Sequence, residues 1–183
     1  MQNNPTNDVT VVENGPKKRV QSKWYQYPGI NLRFLLDFMK AVGLNTEALC
    51  KPTGQPPQSL RIQLKRDDMK LSKAKRLIES NGYKLEIRYI PKEKNTEEDN
   101  YIVTLPHIVK KKENKRDLDF IKDFITSQGD SQYALAEKIG VTQGAVFAWF
   151  NTDDILISYI IKIKEAYGVN LEFRITENTE NSV

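Results

Sequence analysis

Apolar residues recur at helical spacing over 32–42 and again over 118–128, where Leu118, Ile121, Phe124 and Ile125 share one face. Gly43 and Gly129 follow these stretches as predicted C-terminal stops. A short second helix is expected to open at Thr46 in one place and at Ser131 in the other, both good N-cap residue types. Gly54 or Gly140 then turns the chain into a third helix. After an Asp-Asp pair comes a fourth helix, 69–81 and 155–167, stopped at Gly82 or Gly168. The later of these is apolar nearly all round, through Ile155, Leu156, Ile157, Tyr159, Ile160, Ile161 and Ile163, which predicts burial on more than one side. Lys84–Ile90 and Asn170–Thr176 alternate strictly. Leu85, Ile87 and Tyr89 fall on one face, as do Leu171, Phe173 and Ile175, with Glu and Arg on the other, so both are read as strands.

These two series coincide residue by residue at a constant shift of 86. Phe34 falls on Phe120, Asp37-Phe38 on Asp123-Phe124, Gly43 on Gly129 and Ala48-Leu49 on Ala134-Leu135. Farther on, Gly54 falls on Gly140, Asp67-Asp68 on Asp153-Asp154 and Gly82 on Gly168. Leu85-Glu86 falls on Leu171-Glu172 and Arg88 on Arg174. Shared helical periodicity alone would not align the glycines and the Asp-Asp pair together, so the pattern is read as a tandem duplication. A lone strand at the end of each unit needs a partner. The simplest solution pairs the two strands across a pseudo-two-fold axis, so that one chain mimics a symmetric dimer.

The fold expected is therefore mainly α with a small β component: two units of four helices plus a terminal strand, spanning 32–90 and 118–176. Residues 1–31 read as a disordered basic arm and 177–183 as a disordered tail. The linker 91–117 holds a third candidate strand, Tyr101–Leu105.

In the second unit the stretch Gln132–Phe150 reads QYALAEKIGVTQGAVFAWF. Ala134 is small where two helices cross, Leu135 and Ile139 face inward, and Gly140 takes the positive φ of the turn. Val141 plugs beneath it and Thr142 caps the next helix. Val146 with Trp149 or Phe150 anchors that helix. This L-A-x-x-x-G-V-T-x-x-x-V-x-x-W pattern resembles the lambda-repressor/Cro-like (XRE) helix-turn-helix family over about 25 residues. The resemblance implies a compact helical bundle that binds duplex DNA sequence-specifically, with base-reading positions at Gln143, Gly144, Ala145 and Ala148. The terminal strand is not part of that family's common core.

Charge distinguishes the units. Residues 32–90 hold twelve Lys and Arg against six Asp and Glu, whereas 118–176 hold five against eight. Phosphate contacts need cations. The first unit's third helix, Pro56–Arg66, can start on its proline pair and is expected to turn Gln58, Ser59 and Arg61 outward, residue types suited to base edges. Lys65, Arg66, Lys70, Lys73 and Arg76 would line the phosphates. Pro52 departs from standard geometry in the helix before it. In the second unit Gln143 can pair with adenine and Thr142 can touch a phosphate, while Phe147, Trp149 and Phe150 suit a protein partner. The arm Lys17-Lys18-Arg19 with Lys23-Trp24-Tyr25 suits a groove, or serves simply as a solubilising tail.

One cysteine, Cys50, and one histidine, His107, leave no internal disulfide and no His/Cys zinc set. No phosphate loop or nucleophile motif stands out. The expectation is a non-enzyme with no cofactor and no metal. Without an apolar leader or spanning segment, it is expected in the cytoplasm. Two functions compete: a bacterial or phage-type transcriptional regulator binding double-stranded DNA as an intramolecular pseudo-dimer, and a protein-interaction module, antitoxin-like or a phage accessory protein. The second would form a homodimer or bind a partner through the second unit.

Overall fold

A computed structural model describes residues 27–92 and 116–178. The expected strand at 101–105, the arm around Lys17–Tyr25, His107 and the tail from 179 lie outside the described residues. The N-terminal half runs α1 (Arg33–Ala41), α2 (Thr46–Cys50), a tight 3-10 turn (Lys51–Thr53), α3 (Pro57–Arg66), α4 (Leu71–Glu79) and β1 (Tyr83–Ile90). The C-terminal half runs α5 (Asp119–Ser127), α6 (Gln132–Ile139), α7 (Gln143–Thr152), α8 (Ile157–Tyr167) and β2 (Asn170–Glu177). The first and fourth helices are shorter than their periodicity predicts, because Leu32, Lys70, Leu118 and Leu156 stand at the cap positions. No helix among the described residues is long and apolar enough to cross a membrane.

β1 and β2 form one antiparallel pair. Its register is centred on Ile87 opposite Phe173, flanked by Leu85 with Ile175 and Tyr89 with Leu171. The central partners are themselves 86 residues apart. On the other face Glu86 meets Arg174 and Arg88 meets Glu172, so opposite charges oppose each other across the strands. The apolar faces of the pair lie on one core that takes in both halves.

That core is shared crosswise. Phe34 of α1 stacks on Phe173 of β2, with ring centroids 4.1 Å apart and planes 3° from parallel. Conversely, Tyr89 of β1 lies against Phe120 and Phe124 of α5, and its hydroxyl donates to the Ile160 carbonyl in α8 at 3.1 Å. Each half therefore seals its first helix against the strand of the other. The burial expected of α8 holds for Ile157, Ile160, Ile161 and Ile163, whereas Tyr159 is half-buried and Leu156 at the cap position is exposed.

The Asp-Asp pairs explain how the helices begin. Among the described α-helices, α2, α6 and α7 are capped by their own Asn45, Ser131 and Thr142. Thr46, expected as a cap, is instead buried, and Asn45 one residue earlier accepts from the Ala48 N–H. Helices α1, α4, α5 and α8 carry no side-chain cap of their own. Asp67, in the left-handed region at φ 53°, closes α3 and accepts from the N–H groups of Ile30, Asn31 and Leu32 at 2.8–3.0 Å. Asp153, at φ 52°, does the same for Asp117 and Leu118 ahead of α5. Asp68 and Asp154 cross between halves. Asp154 accepts from Ser72 N–H and Oγ at 3.1 and 2.9 Å, and Asp68 from Ser158 N–H and Oγ at 3.1 and 2.7 Å. Two backbone bonds lie beside them: Leu71 N–H to Ile155 O and Ile157 N–H to Met69 O.

Both helix N-termini gain a carboxylate that satisfies their free donors and complements the helix dipole. Because the two exchanges are reciprocal and the core is single, the chain is expected to unfold in one transition. Tryptophan fluorescence and far-UV ellipticity should then share a midpoint. Asp154→Ala and Asp68→Ala should each lower stability by about 1–3 kcal/mol in urea titrations, the scale of losing hydrogen bonds to a charged group.

A second expectation concerns acid. The Asp130 carboxyl is held below its ordinary range by hydrogen bonds from Lys138 and Tyr167. Burial and that same carboxylate push the Tyr167 hydroxyl up. A carboxyl that binds its proton more weakly when folded stabilises above its unfolded pKa and loses that contribution as pH falls. The melting temperature should fall from about pH 5 to pH 3, and Asp130→Asn should shrink that fall.

Candidate nucleic-acid interface

The turn between α6 and α7 is built from local chemistry. Ser131 starts α6, whose Leu135, Ala136 and Ile139 turn inward. Ala136, rather than Ala134, is the buried small residue. Gly140 ends the helix at φ 67°, a conformation that costs a residue with a Cβ about 1–2 kcal/mol. The next N–H, from Val141, returns to the Ala136 carbonyl at 2.9 Å, and Val141 packs on the core. Thr142 Oγ1 accepts from the Ala145 N–H at 3.2 Å and launches α7.

Within α7, Val146 and Phe150 are buried. Phe150 therefore belongs to the core and not to a partner surface, since it lies one helical turn beyond Val146 on the inward stripe. Trp149 is half-buried, its ring 4.7 Å from that of Tyr159. Of the three aromatic residues assigned to a partner surface, only Phe147 stands out, at 61% exposure. It shares the outward face with Gln143, Gly144, Ala148 and Asn151. Tyr133 on α6 is equally exposed. Asn151 on this face was not anticipated; its spacing of seven from Gly144 and four from Phe147 is the signal that places it there.

The N-terminal half makes the corresponding corner differently. Pro52 lacks an N–H, and α2 stops at Cys50 after five residues before the 3-10 turn at Lys51–Thr53. Gly54 takes φ 66°. Pro56 and Pro57 then open α3 as expected. Leu60 and Leu64 point into the core. Gln58, Ile62, Lys65 and Arg66 are exposed, and Arg61 lies half-exposed beside them. At 100° per residue these occupy one outward face. Arg61 is held by Glu47 of α2 at 3.1 Å, with both side chains substantially exposed. Lys65 and Arg66 form no ion pair among the described residues.

Four expected members of this surface are engaged elsewhere. Ser59 lies on the flank of α3 against α4, where its Oγ accepts from Lys73 Nζ at 3.3 Å, so both side chains pack between helices. Lys70 reaches across the seam to Asp154 at 3.2 Å. Arg76 donates to the Thr53 carbonyl. Helical phase explains Ser59, which is 100° from Gln58; the crosswise use of Asp154 explains Lys70. Burial pushes the Cys50 thiol up, more than Lys73 and Arg61 pull it down, which suits a buried, protonated residue. Among the described residues no cluster of three His, Cys, Asp or Glu side chains could hold a metal.

The acidic surplus of the C-terminal half is also redistributed. Asp130 pairs with Lys138, Asp153 with Arg116, Asp154 with Lys70 and Glu172 with Arg174, while Asp117 just ahead of that half pairs with Lys75. No acidic residue lies within α7. Its outward face is uncharged, not acidic, and that of α3 is cationic.

The helix-turn-helix family model matches residues 121–173, from the first turn of α5 into β2. That segment is similar to helix-turn-helix domains of the XRE type, with α6–turn–α7 at its centre. No curated protein and no solved structure matches the chain. Gly140→Ala should destabilise the protein by about 1–2 kcal/mol in urea titrations while leaving the outward face of α7 chemically unchanged.

Proposed function

We propose that this protein is a DNA-binding transcriptional regulator of bacterial or phage type. In this reading one chain supplies two duplicated helix-turn-helix units, 32–90 and 118–176, as an intramolecular pseudo-dimer. The observation that carries the reading is the outward face of α3. Gln58, Arg61, Lys65 and Arg66 occupy the same place in the N-terminal half that the outward face of α7 occupies in the matched segment. The residues are the types that reach base edges and phosphates. Duplication is supported by the register centred on Ile87 and Phe173 and by the reciprocal exchange of Asp68 and Asp154, all related by the same shift. In such a pseudo-dimer α3 and α7 present themselves to two half-sites of a duplex.

A second reading, a protein-interaction module, draws on the exposure of Phe147 and Tyr133. Fluorescence anisotropy against a pool of random duplexes separates the two. Regulator function predicts binding that weakens steeply with salt, is lost in an Arg61→Ala/Lys65→Ala/Arg66→Ala variant and survives Gln143→Ala. Absence of binding at low salt sinks the regulator reading and favours the interaction module.

A further inference from the structure

Resting on the DNA-binding reading, we propose that the two outward helix faces read chemically different half-sites, so that the preferred duplex is not a palindrome. The framework around the faces is symmetric. The strand register is centred on a pair 86 residues apart, the Lys70–Leu156 bridge joins another such pair, and a shift of 86 carries each crossed serine–aspartate bond onto the other. The faces themselves have nothing in common. Where α3 presents Gln58, Arg61, Ile62 and Lys65, α7 presents Gly144, Phe147, Ala148 and Asn151.

Each face matches a different base chemistry. Arg61 offers the fork that pairs with guanine O6 and N7, and Gln58 the amide that pairs with adenine. Arg61 is released easily, since its bond to Glu47 is solvent-exposed and such pairs contribute little. The α7 face offers no cation. Its apolar groups match the thymine C5-methyl, while Gln143 at its first turn matches adenine N6 and N7. Gly144 has nothing within 4 Å of the place a Cβ would take, so the major-groove edge of a base pair can approach the backbone there. No carboxylate on α7 opposes the approach of phosphates. The α7 half is thus an A·T reader held in place by the cations of the α3 half.

The test is selection of bound duplexes from a random library by the full chain, followed by anisotropy with the selected site. The expected site has one guanine-containing half and one A·T half. Arg61→Ala should relax base preference only in the first, and Gln143→Ala only in the second. Replacing thymine by uracil in the A·T half should weaken binding by about fourfold for each methyl buried, and in the other half by much less. Circular dichroism of both variants confirms that they fold. A palindromic selected site, or equal uracil sensitivity in both halves, overturns the inference and leaves the DNA-binding reading standing. Recovery of no duplex overturns both.

Discussion

Four aspartates carry the architecture. Asp67 and Asp153 turn the chain out of the third helix of each half and, with the same side chain, tie down the start of the first. Asp68 and Asp154 then reach into the opposite half and cap its fourth helix. Helix starts leave backbone donors without partners; five of the described α-helices lack a side-chain cap of their own, and apart from α3, which opens on prolines, each of these starts needs an outside acceptor. The carboxylates supply it, and two of them do so only when the halves are together. Docking of the halves and initiation of α4 and α8 are therefore one event.

The crossed aromatic packing follows from the same arrangement. Once α4 and α8 start side by side, β1 and β2 leave them antiparallel, and the apolar face of each strand meets the first helix of the other half. Neither half closes a core alone. The charge imbalance along the chain is partly an internal match: Lys70 with Asp154 joins the basic half to an acidic group of the other, and Lys75 with Asp117 joins it to one just ahead of that half. The net charge of a half is thus a poor guide to the charge of its exposed helix. The half that contains α7 is acidic by count, yet α7 itself carries no charged residue and is neutral outside.

Function and framework have separate constraints. Positions that face the core keep matched residue types: Leu60 with Val146, Leu64 with Phe150, Leu71 with Ile157. The outward positions of α3 and α7 carry no such burden and differ at each of Gln58, Arg61, Ile62 and Lys65 against Gly144, Phe147, Ala148 and Asn151. A pair of scaffolds held by buried contacts can in this way carry two surfaces of different chemistry.

Much of this was legible along the chain, because helices, glycine stops and alternating strands arise from local sequence spacing. The four helices and strand of each half, the turn at Gly140, the caps Ser131 and Thr142 and the strand pairing follow from periodicity and turn chemistry. The outward positions of Gln58, Arg61, Lys65, Arg66 and Gln143 follow from helical phase. What the spacing could not resolve was which polar groups are spent inside the protein. Asp67 and Asp68 differ by one residue, yet one serves its own half and the other the opposite half. Ser59, Lys70 and Lys73 are polar residues in or near the third helix, yet Ser59 and Lys73 bond to each other between α3 and α4, and Lys70 reaches across the seam. Phe147 and Phe150 are the same residue three positions apart, and only packing makes one surface and the other core. Local spacing determines which face of a helix a residue occupies; the tertiary structure decides what that face meets, because its hydrogen-bond and packing partners are far away in sequence.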